Sequence, residues 1–325
     1  MRTVMRQLSA TATVAIGCLL AGTPSVAATD LSPNDWLSKM ADAVKSTNYE
    51  GTVIRTRNAK EEVLKVVHVV TDGVIRERVV VQEGNGLEII RNGNEVKCIL
   101  PDLQEVRVEE WNDQSTLFST LPSTDIRFGS EYDVSVVRTE RVAGRKAVLL
   151  AIRPHDEYRF GHRIWLDAET GFPLQTKLIG DEGNAIEQVK FADISLGKEI
   201  HSSALAPSIS TDNFRWFTSP KRTITHSVKT DWSSDDLPPG FRVIDSHKEE
   251  LPGSEKPVTH ILYSDGLANV SVFIETAKGK KPARRSRVGA SNSFSIQVGD
   301  HQVTAVGEVP ARAVEQIASS MQSNP

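Results

Sequence analysis

The stretch VLKVVHVVTDGVIRERVVV, residues 63–81, decides the fold class. Two β-branched runs, Val63 to Val70 and Val74 to Val81, flank Thr71-Asp72-Gly73. Glycine accepts positive φ, so the trio reads as a hairpin turn. The same grammar repeats outward. Leu87 to Arg91 and Glu95 to Leu100 flank Asn92-Gly93, and Val134 to Val142 and Lys146 to Ile152 flank Gly144. His162 to Leu166, Leu174 to Ile179 and Ala185 to Phe191 are separated by Thr170-Gly171 and by Asp181-Glu182-Gly183. Strands joined by tight turns run antiparallel. Upstream, Thr52 to Arg57 alternates loosely, and a helix is expected over 32–46. Ser32 can cap it, Pro33 suits its first turn and Asp35 favours its positive end. Trp36, Leu37, Met40, Ala41 and Val44 then share one face. The pattern predicts a long antiparallel meander, a wide curved sheet with the helix on its concave side.

Between Glu109 and Tyr132 the meander breaks. Trp111, Leu117, Phe118, Leu121, Ile126 and Phe128 sit there among Ser and Thr, as an excursion that could cover the sheet's open face. A second break spans about residues 205–240, with Ala206-Pro207-Ser208, Ser219-Pro220 and SSDDLPPG at 233–240. Beyond it, Phe241 to Ser246, His260 to Ser264, Ala268 to Ile274, Phe294 to Val298 and His301 to Val306 read as strands. Val309-Pro310 starts a closing helix with Val314, Ile317, Ala318 and Met321 on one face. The expected fold is α+β: a large antiparallel sheet domain at 28–206, a linker at 207–222 and a smaller, mostly antiparallel domain at 223–325.

Residues 1–27 read as a secretory signal. Arg2 and Arg6 precede the apolar run VAIGCLLA at 14–21, and small residues follow at 25–28. The run is too short for a bilayer core of about 30 Å. Lipidation at Cys18 is disfavoured, because Ala-Ile-Gly precedes the cysteine and the apolar run continues past it. Removing the signal leaves Cys98 alone, so no intrachain disulfide forms within the mature chain.

The 325 residues are 25% charged with a net charge of −4, which gives no general attraction to nucleic acid. Charge is local instead. KGKKPARRSR at 278–287 holds six basic residues and no acid, and its Gly and Pro suggest a loop. It reads either as a solvated tip or as a phosphate- or acid-binding patch carried by Lys280, Lys281, Arg284 and Arg285. In the linker, Phe214, Trp216 and Phe217 read either as an anchor docked on one domain or as part of a ligand or partner surface.

Catalytic chemistry is not evident. The chain has no HExxH, GxSxG or Walker P-loop. Gly84-Asn85-Gly86 lacks the third glycine and the helix of a dinucleotide site. His155-Asp156-Glu157 with His162 is the densest polar cluster, but a metal would need these ligands to converge on one point, and they lie where the chain turns between strands. Glu109-Glu110 and Asp235-Asp236 are merely adjacent. No enzyme, metal or cofactor is expected.

Four stretches resemble the RseB/MucB family of exported bacterial regulators. The first is the helix with Trp36-Leu37 and Met40-Ala41 running into Asn48-Tyr49-Glu50-Gly51-Thr52-Val53. The second is Asp72-Gly73 with Arg76-Glu77-Arg78. The third is Trp165-Leu166-Asp167 with Thr170-Gly171-Phe172-Pro173-Leu174. The fourth, and most specific, comprises Leu237-Pro238-Pro239-Gly240-Phe241, Tyr263-Ser264-Asp265-Gly266-Leu267-Ala268, Val270 to Ile274 and Val306-Gly307-Glu308-Val309-Pro310. The resemblance implies a lipoprotein-carrier-like half-barrel around a helix, followed by a partner-binding domain. It implies a periplasmic protein that binds the periplasmic region of a single-span anti-sigma factor and shields it from site-1 proteolysis. The envelope-stress sigma factor then stays off until a lipid or lipopolysaccharide-type ligand releases the partner. It also implies dimers or larger forms. The competing expectation is a lipid or lipoprotein carrier, for which the half-barrel alone would suffice.

Overall fold

The structure is a computed structural model that describes residues 31–110, 117, 121, 130–218, 224–225, 230–250, 256–280 and 282–323. The expected signal therefore lies outside the described residues, as does most of the 109–132 excursion.

Helix α1 (Pro33–Ser46) begins as its sequence dictates. The Asp35 backbone N–H donates to Ser32 Oγ, and the Ser32 N–H donates back to the Asp35 carboxylate at 3.0 Å. This reciprocal cap satisfies donors that the first turn leaves open. Trp36, Leu37, Met40, Ala41 and Ala43 form the buried face, and Val44 packs beside them partly exposed.

Eleven strands follow: β1 (Tyr49–Arg57), β2 (Lys60–Thr71), β3 (Val74–Val81), β4 (Glu88–Asn92), β5 (Glu95–Leu100), β6 (Glu105–Glu110), β7 (Tyr132–Val142), β8 (Arg145–Pro154), β9 (Gly161–Asp167), β10 (Pro173–Ile179) and β11 (Ala185–Leu196). With β12 (Arg215–Thr218) they form one sheet in the order 12-6-5-4-3-2-1-11-10-9-8-7. Its turns are the expected ones: Asp72 and Gly73 both have positive φ (52° and 75°), as the twist-matched two-residue hairpin requires. A long-range pairing, β1 with β11, joins the two arms of the meander. Gly51 sits beside a bulge in that pair, where a Cβ would lie 2.4 Å from the Asp193 carbonyl oxygen. That close approach is a physical reason for glycine in the first family-like stretch.

The space between α1 and the sheet is filled. Tyr49, Leu64, Phe172, Leu174 and Phe191 are buried there, and Leu117 joins the same core. Gly171 has φ +79°, and a Cβ there would lie 2.6 Å from Lys39 Cγ, so the turn presses directly against α1. Lys39 Nζ also donates to the Glu169 carbonyl.

The second sheet contains β13 (Ile224–Thr225), β15 (Arg242–Glu249), β16 (Val258–Ser264), β17 (Asn269–Thr276), β18 (Arg284–Val288), β19 (Ser291–Val298) and β20 (His301–Gly307), in the order 13-15-16-17-20-19-18. Helix α2 (Ala311–Ser319) lays Val314, Ile317 and Ala318 on its core. A short pair, β14 (Trp232–Ser234) with β21 (Met321–Ser323), closes the chain end.

The aromatic segment of the expected linker is anchored on the large sheet, where β12 pairs in parallel with β6 at the edge. Two expectations change. The basic stretch is not all loop, because Arg284 to Arg287 lie in β18 at the edge of the second sheet. Met321, expected on the closing helix, starts β21 instead, though its side chain still packs in the same core.

Candidate functional site

The chain beside the densest polar cluster of the sequence forms a joint between the two sheets. Arg159, just before β9, is fully buried and donates to Asp265 Oδ2 at 2.5 Å through Nε. It also pairs with Asp156 and donates to the Pro239 carbonyl. Its guanidinium lies 5.5 Å from the Tyr132 ring and 5.0 Å from the Phe241 ring. Tyr132 donates its hydroxyl to Asp265 Oδ2 at 2.8 Å. The other Asp265 oxygen accepts from the backbone N–H groups of Leu267 (2.9 Å) and Ala268 (2.7 Å). Burial works against the charge of Arg159, but the carboxylates of Asp265 and Asp156 outweigh it and hold its proton more firmly than usual. Burial and the Asp265 charge push the Tyr132 hydroxyl well up, so it stays a donor.

A second contact lies beside the first turn of the large sheet. Arg57 pairs with Glu187 at 2.8 Å and with Glu308 at 3.2 Å, and Glu187 accepts from the Ala290 N–H. Burial and the Glu187 charge raise the Glu308 carboxyl, with Arg57 opposing them. Arg312 pairs with Glu157 at the rim. The family-like segments LPPGF, YSDGLA and VGEVP thus supply Pro239, Phe241, Asp265 and Glu308 to the joint. Arg159, which organises the joint, is not marked in the sequence, because two of its partners lie 80 and 106 residues away.

The remaining members of that polar cluster do not converge on one point. His155 Nε2 faces Asp133 at 3.0 Å, whereas His162 lines a cleft of about 480 Å³ with Arg153, Asp156, Arg159 and Asp181. Burial lowers the His162 pKa to about 4, only partly offset by Asp265. The unfolded chain then binds more protons than the native one between about pH 4 and 6.5. Stability is accordingly full above that window and falls as the pH drops through it, by on the order of 1–2 kcal/mol because the His162 side chain is only partly buried. Urea titrations at pH 7.5 and 5 should show this slope, and His162→Gln should flatten it.

Two expected binding features both lie on sheet edges. Trp216 and Phe217 are adjacent on β12, so they point to opposite faces, and they are 52% and 47% exposed. Lys97 approaches the Trp216 ring at 5.9 Å. Lys280 and Arg284 are exposed, whereas Arg285 is held by Glu315 on α2 and lies over Phe294. Lys281 lies outside the described residues. The aromatic and basic sets belong to different sheets and are not brought together. Cys98, half-buried on β5, has its thiol pushed up by burial and by Glu109, which makes it a poor nucleophile. Among the described residues, no helix is long and apolar enough to cross a membrane.

A large sheet with a packed helix, a second sheet locked to it by a buried ion pair, and half-exposed edge strands define a two-lobed binding protein. The chain belongs to the MucB/RseB family. Residues 32–209 match the family's N-terminal domain and residues 226–322 its C-terminal domain. The chain is 31% identical over 312 residues to the sigma factor AlgU regulatory protein MucB of Pseudomonas aeruginosa, covering 94% of this chain and 95% of the relative. It is 26% identical over 298 residues to the sigma-E factor regulatory protein RseB of Escherichia coli K12, covering 88% and 89%. These relatives are named as regulators, not for an enzymatic reaction. Among solved structures, MucB in complex with MucA(peri) has a TM-score of 0.69 at 30% identity, covering 90% of this chain and 99% of that one. A structure described as that of MucB gives a TM-score of 0.58 at 29% identity, covering 90% and 98%.

Proposed function

We propose that this protein is a periplasmic regulator that binds the periplasmic region of a membrane anti-sigma factor. By covering that region it blocks site-1 cleavage and keeps the envelope-stress sigma factor inactive. The observation that carries the reading is the near-full-length agreement with MucB in complex with MucA(peri). Two features support it. The edge strand β12 offers open backbone groups to an extended segment, the usual way a sheet takes up a partner strand. The buried joint fixes the second lobe to the first, an arrangement that a simple carrier would not need. Titration of the mature chain against the periplasmic fragment of the anti-sigma factor encoded in the same genome tests the reading. Saturable 1:1 binding is expected, and absence of binding overturns it.

Release by a lipid-type ligand belongs to the same proposal. Tyr49, Phe172 and Phe191 occupy the space under α1, so an acyl chain entering there must displace the helix or these rings. The gain available is about 0.8 kcal/mol per buried CH₂. Headgroup phosphate would be met by Lys280, Lys281 and Arg284. Because Arg285 is engaged with Glu315, the informative variant is Lys280→Gln/Lys281→Gln/Arg284→Gln. It should retain partner affinity within twofold while needing several-fold more lipopolysaccharide for release; unchanged release refutes the headgroup role. Self-association would be read in the same samples by sedimentation.

A further inference from the structure

The geometry points to a site for a divalent transition-metal ion of the zinc class, formed by His247, Glu249 and His260. Strands β15 and β16 build it from their pairing alone. His247 stands directly opposite His260 in the register, and Glu249 lies two residues along on the same face as His247. Directly opposed and diagonal side chains on one face of an antiparallel pair are within mutual reach. His260 Nδ1 lies 3.3 Å from His247 Nε2 and 3.2 Å from Glu249 Oε1, and the three ligand atoms all fall within 4.8 Å of one another. Ligands held about 2.0–2.1 Å from a tetrahedral ion stand roughly 3.3 Å apart, so two of the three edges already have that length. His247 and Glu249 are buried and His260 nearly so.

A further residue makes the arrangement more than a polar contact. Asp245 Oδ2 lies 2.7 Å from His247 Nδ1 and accepts its proton. That hydrogen bond leaves a lone pair on Nε2, aimed at the cluster. A carboxylate orienting a histidine from behind is the usual support of a metal-bound imidazole. The His260 ring is fixed in turn by stacking on Phe273, with centroids 4.4 Å apart. Two imidazoles and one carboxylate suit zinc and leave a fourth position for water or a donor from a partner. The ion would clip β15 to β16 beside β13, where the chain enters the second sheet. No local motif announces the site, because its ligands are split between two strands.

The test uses the untagged mature chain, stripped with EDTA, dialysed, and titrated with Co²⁺ and then with Zn²⁺ in competition with a chromophoric chelator. One Co²⁺ per chain, with the intense visible absorption of tetrahedral coordination and displacement by Zn²⁺, is the expected result. Asp245→Asn alters only an exposed orienting residue and should weaken Zn²⁺ binding about 10- to 100-fold. His247→Gln/His260→Gln should abolish the signal, whereas His201→Gln, at an exposed position elsewhere, should leave it intact. Binding below one equivalent, a weak six-coordinate spectrum, or Asp245→Asn indistinguishable from the parent would each overturn the site. The Asp245 variant keeps the test decisive even where the double variant fails to fold. None of these readouts depends on anti-sigma-factor binding.

Discussion

Asp265→Ala is expected to lower the unfolding free energy by about 3–5 kcal/mol, the usual cost of removing one partner from a buried ion pair. The residue is well placed for so large an effect. Its carboxylate takes the Arg159 guanidinium and the Tyr132 hydroxyl on one oxygen and caps the 265–268 turn with the other. Removing it leaves a guanidinium with no exposed side-chain surface facing Asp156 and a carbonyl alone. The damage should centre on the joint, so urea unfolding is expected to show a lower midpoint and a separation into two transitions. Arg159→Met should cost a similar amount, because it strands Asp265. Combining Arg159→Met with Asp265→Leu should recover part of the loss, since residues in one network are not additive. A loss below 1 kcal/mol for Asp265→Ala would show that water already reaches the joint.

Glu77→Ala is expected to cost roughly 2–4 kcal/mol, since it leaves buried donors in a packed core unpaired. Glu77 and His68 are each 1% exposed and lie 3.1 Å apart, and the Tyr49 hydroxyl donates to the same carboxylate. Burial, then the Glu77 charge, raises the Tyr49 hydroxyl well above its ordinary value, so it remains a donor. Tyr49 stacks on His68 at 4.7 Å and tilts against Phe172 at 4.8 Å, which ties this polar trio to the floor under α1. Glu77→Gln keeps an acceptor of the same shape and should cost about half as much. Denaturant midpoints of the two variants measure the difference, and equal losses would mean that the carboxylate charge matters more than its hydrogen bonds.

These two sites show what could be read from the chain and what could not. The hairpins were legible because their information is local: Asp72-Gly73 dictates its own turn, and the β-branched runs on either side have nowhere else to pair. The helix cap at Ser32 and Asp35 is equally local. Strand β12 was not legible, because Arg215 to Thr218 pairs with a segment 110 residues earlier and no turn announces the pairing. Arg159 was hidden for the same reason. The sequence marked its neighbourhood as polar, and the family-like motifs marked Pro239, Phe241 and Asp265, but only the folded chain shows that they meet. The metal-binding set escaped because two of its ligands fall on one strand and the third on the next. Tyr49, Glu77 and Phe172 were picked out through family-like motifs, and the structure gives them a common physical role in one core.

The most direct test of the proposed function is a protection assay. The periplasmic fragment of the cognate anti-sigma factor is incubated with its site-1 protease, with and without an equimolar amount of the mature chain. Cleavage slowed at least tenfold, and restored when lipopolysaccharide is added, is the predicted result. Cleavage at the same rate in both tubes would contradict the account.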